Sequence, residues 1–202
     1  MGMRFKSNLA GYDFSMSASR YMNADREILG LPVKNITGAD MAGQIGEIGI
    51  WSEAAVINHK SSLFGTNAFD STFYQVDAGL DFTFTNGLYV MAEYYYNSLG
   101  AEKQEDYSPM SLLFQYMGDM GGMARHYTML GIRNNFLDKF DLTFFSLLNA
   151  CDFSVVVLPT VDYYWSDAIN ITFAASLGFG NKKTTELGSL HHTVNGKVKA
   201  YF

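Results

Sequence analysis

The 202-residue chain holds a single cysteine, Cys151, and only 3 prolines. One cysteine excludes an internal disulfide and a thiolate metal cluster. Positive charge is scarce: 14 Lys and Arg stand against 20 Asp and Glu, a net charge of -6 with no basic run. Nucleic acid is therefore not an expected partner. Long hydrophobic runs are missing as well. Hydrophobic residues make up 48% of the chain, yet nothing approaches the roughly 18 consecutive apolar residues of a spanning helix. The segment Met1–Lys6 lacks the apolar core of a secretory signal, so an exported protein is expected here in mature or truncated form.

What is abundant is 16 Phe, 13 Tyr and 19 Gly, while charged residues are only 17%. Aromatic and β-branched side chains suit a pleated surface, and Gly suits turns and crowded sheet positions. The pattern agrees. From Thr72 to Phe84, Tyr74, Val76, Ala78, Leu80, Phe82 and Phe84 alternate with Phe73, Gln75, Asp77, Gly79, Asp81 and Thr83. Side chains of a strand point to opposite faces in turn, so one face is apolar and the other mostly polar. Leu88, Val90, Ala92, Tyr94 and Tyr96 repeat the pattern against Tyr89, Met91, Glu93, Tyr95 and Asn97. A two-residue Asn86-Gly87 loop would mix the faces. A three-residue loop, Thr85-Asn86-Gly87, pairs Phe84 with Leu88, keeps the apolar face continuous and puts Gly87 at positive φ.

The same reading gives about ten strands. An early one covers Asn8–Tyr21, with Ala10, Tyr12, Phe14, Met16 and Ala18 facing one way and Asp13, Ser15, Ser17 and Ser19 the other. Others fall near Val33–Ala42, Glu47–Asn58, His126–Phe136, Phe140–Ala150, Phe153–Trp165, Ala168–Gly180 and Thr193–Phe202. Pro159 removes a ladder donor, so a bulge or a gap in pairing is expected there. Short links near Gly43–Gly46, Thr85–Gly87, Leu137–Lys139 and Ser166–Asp167 alternate with longer ones near Met22–Pro32, His59–Ser71, Gly100–Arg125 and Asn181–His192. The turn at Cys151-Asp152 is short where a long link is due.

That alternation is the plan of an antiparallel up-and-down transmembrane β-barrel, all-β, as one domain over residues 1–202 or as the C-terminal portion of a larger barrel. Aromatic residues collect at strand ends, with Tyr94-Tyr95-Tyr96 at one rim and Phe82, Phe84, Tyr163-Tyr164-Trp165 and Tyr201-Phe202 at the other. They read as interfacial girdles. A soluble antiparallel sandwich also alternates its faces. Against it stand the uncharged apolar faces, the alternating links, and a polar face poor in Lys. The expected lipid-facing residues are Tyr74, Val76, Leu80, Phe82, Leu88 and Val90, with Ile169, Ile171, Phe173 and Leu177 on a later strand. The expected lumen-lining residues are Asp13, Glu53, Asp77, Asp81 and Glu93, then Arg133, Asp141, Asp162, Lys197 and Lys199. Acidic groups prevail, which points to cation preference; the alternative is that these charges pair across strands and fill a narrow barrel.

The final strand, Val194-Asn195-Gly196-Lys197-Val198-Lys199-Ala200-Tyr201-Phe202, resembles the C-terminal signal of bacterial outer-membrane proteins. Val194, Val198, Ala200 and Phe202 match its alternate apolar positions and terminal Phe. The resemblance implies recognition by the barrel-assembly machinery. More broadly, the hairpin Asp77–Asn97, Arg125-His126-Tyr127 and the strands to Phe202 resemble the C-terminal part of porin-like proteins. This implies an outer-membrane location in a Gram-negative bacterium, lipid as a partner, and passive passage of small solutes.

Other chemistry finds little support. Ser108–Met117 predicts a short apolar helix in the longest loop, able to constrict the mouth or to pack against other loops. The histidines His59, His126, His191 and His192, and the acidic residues Glu102, Glu105 and Asp106, map to the long-link side, where barrel hydrolases keep their sites. No spacing forces them together and no Gly-x-Ser-x-Gly is present, so neither an enzyme nor a cofactor is expected. His191-His192 would point oppositely on a strand and could not chelate one metal ion. A non-conducting barrel with a binding, adhesive or structural role is the competing reading.

Overall fold

Alternation of apolar and polar side chains, with glycine at the reversals, produces strands and turns, joined among the described residues by two three-residue 3-10 helices, Gln104–Asp106 and Leu187–Ser189. The computed structural model describes residues 1–22, 33–63, 66–108 and 122–201. Eleven strands follow one another in space as in sequence, each beside its predecessor. They are β1 Gly2–Leu9, β2 Tyr12–Met22, β3 Val33–Ile45, β4 Ile48–Leu63, β5 Thr66–Thr83, β6 Tyr89–Asn97, β7 His126–Phe136, β8 Phe140–Asn149, β9 Ser154–Ser166, β10 Ile169–Phe179 and β11 Thr193–Ala200. The architecture is an all-β, antiparallel, up-and-down sheet. Among the described residues no helix is long and apolar enough to cross a membrane.

The chain divides into two compact units, Met1–Ala78 with Tyr95–Leu99, and Gly79–Tyr94 with Gly100–Phe202. In the first unit the expected strand Asn8–Tyr21 is two strands. Ala10 and Gly11 have φ of 53° and 85°, the two positive values that a tight two-residue hairpin demands, and Leu9 faces Tyr12 across it. Ala10 thus belongs to a turn, not to the apolar face, and the strand count rises from ten to eleven. Opposed residues share a face, so the register collects Lys6, Ser15, Asp40 and Glu53 on one side. Phe5, Met16, Ala39 and Ala54 share the other. The expected long link His59–Ser71 is largely strand: β4 runs on to Leu63 and β5 begins at Thr66.

In the second unit the turn selected by parity is present. Phe84 N donates to Leu88 O at 2.8 Å, Gly87 N donates to Phe84 O at 2.9 Å, and Gly87 has φ of 81°. A Cβ at Gly87 would meet nothing within 4 Å, so the cost of a side chain there is backbone strain alone. Gly87→Ala should lower stability by about 1 kcal/mol, read from the urea midpoint of protein folded in detergent. Gly87→Asn should cost less, because Asn tolerates the left-handed region.

Pro159 behaves as its missing donor requires. Its register with β8 is continuous, Phe144 facing Pro159, while the β9–β10 ladder passes from Thr160↔Ala174 to Val157↔Leu177 with the two intervening pairs absent. The gap lies on the β10 side. The irregularity in register falls elsewhere, between Ile169 and Asn170 opposite Ser166 and Tyr164, where Trp165 is the extra residue. Two rows show how far the faces separate: Asn135, Asp141, Asp162, Thr172 and Lys197 on one, and Asn134, Leu142, Val161, Phe173 and Gly196, with no charge among them, on the other.

Among the described residues no second layer of protein covers the apolar face at the positions that test it. Tyr74, Leu80 and Phe173 are 51%, 49% and 57% exposed, and Ile171 is half-buried. Full burial among the described residues is concentrated instead where links fold against strand ends.

Candidate functional site

The polar face of the first unit forms a shallow concavity of about 200 Å3 that includes Asp40, Glu53, Asp77, Gln75 and Tyr95. Asp40 is the organised member. Arg4 Nη2 donates to both its oxygens, at 3.1 and 3.0 Å, and Ser15 Oγ also donates to it. Arg4 Nε donates to Ser15 Oγ at 2.8 Å, closing the triangle. Asp13 accepts from Asn8 Nδ2 at 2.8 Å. In the second unit, Asp81 accepts from Tyr89 Oη at 3.1 Å. Asp141 accepts from Asn135 Nδ2 at 2.9 Å and Tyr164 Oη at 3.0 Å, with Arg133 at 3.6 Å. Asp162 is bound by Thr172 Oγ1. Glu93 lies on β6, and Lys197 and Lys199 are exposed on β11. Leu88 immediately precedes β6. Val194, Val198 and Ala200 are exposed on β11, while Phe202 lies outside the described residues.

The most elaborate constellation was not singled out by any spacing in the sequence. It knits the links before β7, between β8 and β9, and after β10. Glu186 Oε2 accepts from Tyr127 Oη at 2.5 Å and from Asn149 Nδ2 at 2.8 Å, and its Oε1 accepts from Met123 N at 2.9 Å. Tyr127 Oη accepts in turn from Ala124 N at 2.8 Å. Asp152 Oδ2 accepts from Glu186 N at 2.7 Å and from Tyr107 Oη at 3.1 Å. Asp152 Oδ1 accepts from Ser154 N and Oγ at 2.8 and 2.6 Å, and Ser154 Oγ accepts from Leu187 N at 3.1 Å. Asn149 and Ser154 are 0% exposed. A buried network satisfied to this degree rigidifies what it joins.

Backbone geometry explains the placement. Tyr127, Asn149 and Ser154 are opposed along the β7–β8–β9 ladders and so share the polar face. Gly178 on β10 lets the link approach: a Cβ there would lie 2.4 Å from Leu187 O. Burial, with Asp152 and Glu186 alongside, pushes the Tyr107 phenol far above its ordinary range despite the hydrogen bond from Asn149. Tyr107 therefore stays protonated and donates to Asp152.

The network fastens three links through groups whose hydrogen bonds are met within it. The Ser154 hydroxyl already donates and accepts and is sealed from solvent. His126 Nδ1 meets Tyr94 Oη at 2.6 Å, His192 Nε2 donates to Gly178 O at 2.7 Å, and His191 is exposed. His59 is on β4, with its side chain outside the described part. Arg125 pairs with Glu102, while Glu105 and Asp106 lie in a short 3-10 turn. Among the described residues no group of three His, Cys, Asp or Glu could hold a metal ion. The expected helix at Ser108–Met117 lies outside the described residues except for Ser108.

No family model matches the chain, and no curated protein matches it. Among solved structures it is similar to outer membrane phospholipase A from Escherichia coli, at 10% identity and a TM-score of 0.44, over 100% of this chain and 82% of that one. A likeness so distant carries neither residues nor activity across.

Proposed function

We propose that this chain is an outer-membrane β-barrel, or the C-terminal portion of one, whose polar face lines an aqueous passage for small solutes or ions. The observation that carries the reading is the apolar face. It is uncharged from Tyr12 to Ala18 on β2 and from Ile169 to Phe179 on β10, and Phe173 and Leu80 are about half exposed on it. Such a face left to water would be an aggregation hazard, whereas hydrocarbon is its natural solvent. The opposite face carries Asp40, Glu53, Asp141 and Asp162, groups that need water or partners. Surrounding lipid and the assembly machinery are the partners this reading requires, the latter through Val194, Val198, Ala200 and Phe202.

Single-channel recording in planar bilayers tests it. Stable conductance with cations favoured over anions is expected, because acidic side chains prevail on the polar face. Absence of conductance from correctly folded protein removes the channel, and anion selectivity removes the assigned charge pattern.

A second reading, a non-conducting barrel, is favoured by one feature. The link 180–192 folds onto the polar face of β9 and β10 and is fixed there by Glu186, Leu187 and His192. Deleting the expected constriction at Ser108–Met117 should raise conductance if that segment narrows the mouth. An unchanged value assigns any narrowing to the 180–192 link.

A further inference from the structure

Two hairpin tips of the second unit carry large apolar side chains where the backbone favours small ones. Leu137 and Phe153 have φ of 56° and 57°, in the left-handed region that is uncommon for any side chain and an outlier for a bulky one. Leu137 and Asp138 both have positive φ, the pattern for which Asn-Gly is preferred in a hairpin turn. Phe153 closes the turn between β8 and β9. Its neighbours Asp152 and Ser154 are buried, and Asp152 Oδ1 accepts from Ser154 N at 2.8 Å. The turn is pinned on both sides of a ring that is itself left outside.

Contacts among the described residues do not offset this strain, because Leu137 and Phe153 are 74% and 82% exposed. In water such a side chain is doubly unfavourable: the backbone is strained and the apolar surface is wet. Residues that break a local rule in this way mark functional positions.

The two tips bracket one strand. Leu137 precedes β8, Phe153 follows it, and β8 runs 10 residues from Phe140 to Asn149. At about 3.4 Å per residue and a tilt of about 40°, that strand rises roughly 25 Å, the height of the apolar band on a lipid-facing barrel. β8 is paired on both sides, with β7 and β9, so strands added at either end of the sheet would leave both tips as they are. The last ladder pairs are Phe136↔Phe140 at one end and Asn149↔Ser154 at the other. Both side chains therefore lie just beyond the paired strands.

We propose that Leu137 and Phe153 are a pair of lipid anchors, one at each interface of the membrane, that fix the depth of the β7–β8–β9 hairpins. Their partner is the layer where headgroups meet acyl chains, which accepts apolar surface from one side and polar turn backbone from the other. The proposal rests on the membrane reading.

The test places an indole at each tip of the full chain folded into phospholipid vesicles. Leu137→Trp and Phe153→Trp are each made in a chain whose two tryptophans are removed by Trp51→Phe and Trp165→Phe. Phe173→Trp, in the middle of β10, is the reference. Lipid brominated just below the headgroups should quench both tip variants more than lipid brominated near the chain ends. Iodide on both sides of the vesicle should quench them little, and Phe173→Trp should show the reverse order of lipids. Tips quenched by iodide and not by brominated lipid overturn the anchors, as do tips quenched by neither, which would set them against protein. If Phe173→Trp is still quenched by lipid, that failure leaves the membrane reading standing; if it is not, the membrane reading itself fails. Phe153→Asn supplies an independent sign. Asn tolerates the left-handed region, so strain alone predicts a higher urea midpoint in vesicles, whereas loss of an anchor predicts a lower one. A higher midpoint overturns the role of Phe153.

Discussion

Glu186→Ala should unfasten the link after β10 and cost about 3–5 kcal/mol, a large share of the stability of an ordinary fold. The substitution strips the acceptor from Tyr127 Oη, Asn149 Nδ2 and Met123 N together, all in a part of the molecule closed to water. Each donor left unpaired there costs about 1–3 kcal/mol, reduced where water can follow. Glu186→Gln keeps the shape but turns an amide NH2 toward one set of donors, so about 1–2 kcal/mol is expected. Tyr127→Phe removes the acceptor of Ala124 N along with a donor to Glu186. Combined with Glu186→Ala it should cost less than the two singles added, because both act on one network. Local release can be read without global unfolding from trypsin cleavage after Lys182 and Lys183, which are exposed in the same link. If opening precedes cleavage, about 3 kcal/mol corresponds to roughly a hundredfold faster nicking in Glu186→Ala. Unchanged cleavage would mean that the strap is held by something other than this carboxylate.

Why this network escaped a reading of the sequence is clear from its distances along the chain. Glu186 meets partners 59, 37 and 63 positions away, and nothing in the order Thr185-Glu186-Leu187 announces a buried carboxylate. Local rules succeeded where the decisive geometry is local. Parity around Asn86-Gly87 chose the three-residue turn, and the missing donor of Pro159 opened the ladder toward β10. They failed at Leu9-Ala10-Gly11-Tyr12 because Ala10 extends the even apolar set of β2 back into the turn. The apolar set changes from odd positions in β1 to even ones in β2, and that change of parity, with Gly11, marks the reversal. They failed again at His59–Ser71, where a polar run was read as loop. Faces and turns were legible; the fastening of the links was not.

The sharpest discriminator between lipid and water as solvent of the apolar face is Phe173→Arg. Phe173 lies in the middle of β10, in the uncharged row with Leu142 and Val161, and is 57% exposed. On a protein surface in water, exchange of so exposed a side chain changes stability by about 0.5 kcal/mol or less. In a bilayer the same arginine sits near the midplane and costs about 2–4 kcal/mol, falling to about 0–1 kcal/mol toward the interfaces. Phe179→Arg supplies the comparison, since Phe179 ends the same strand on the same face. Ala174→Arg on the polar face tests whether bulk and charge alone disturb the strand, because Ala174 faces Thr160 and Asn195 rather than an apolar neighbour. Folding into phospholipid vesicles, followed by urea titration, should rank the losses Phe173 well above Phe179, with Ala174 small. A flat ranking across the strand would remove hydrocarbon from the argument, and with it the reason for an aqueous passage on the other side of the sheet. A loss confined to the apolar face and graded from Phe173 to Phe179 would be a measurement of membrane depth, because the cost of arginine on a lipid-facing strand falls from the midplane toward the interfaces.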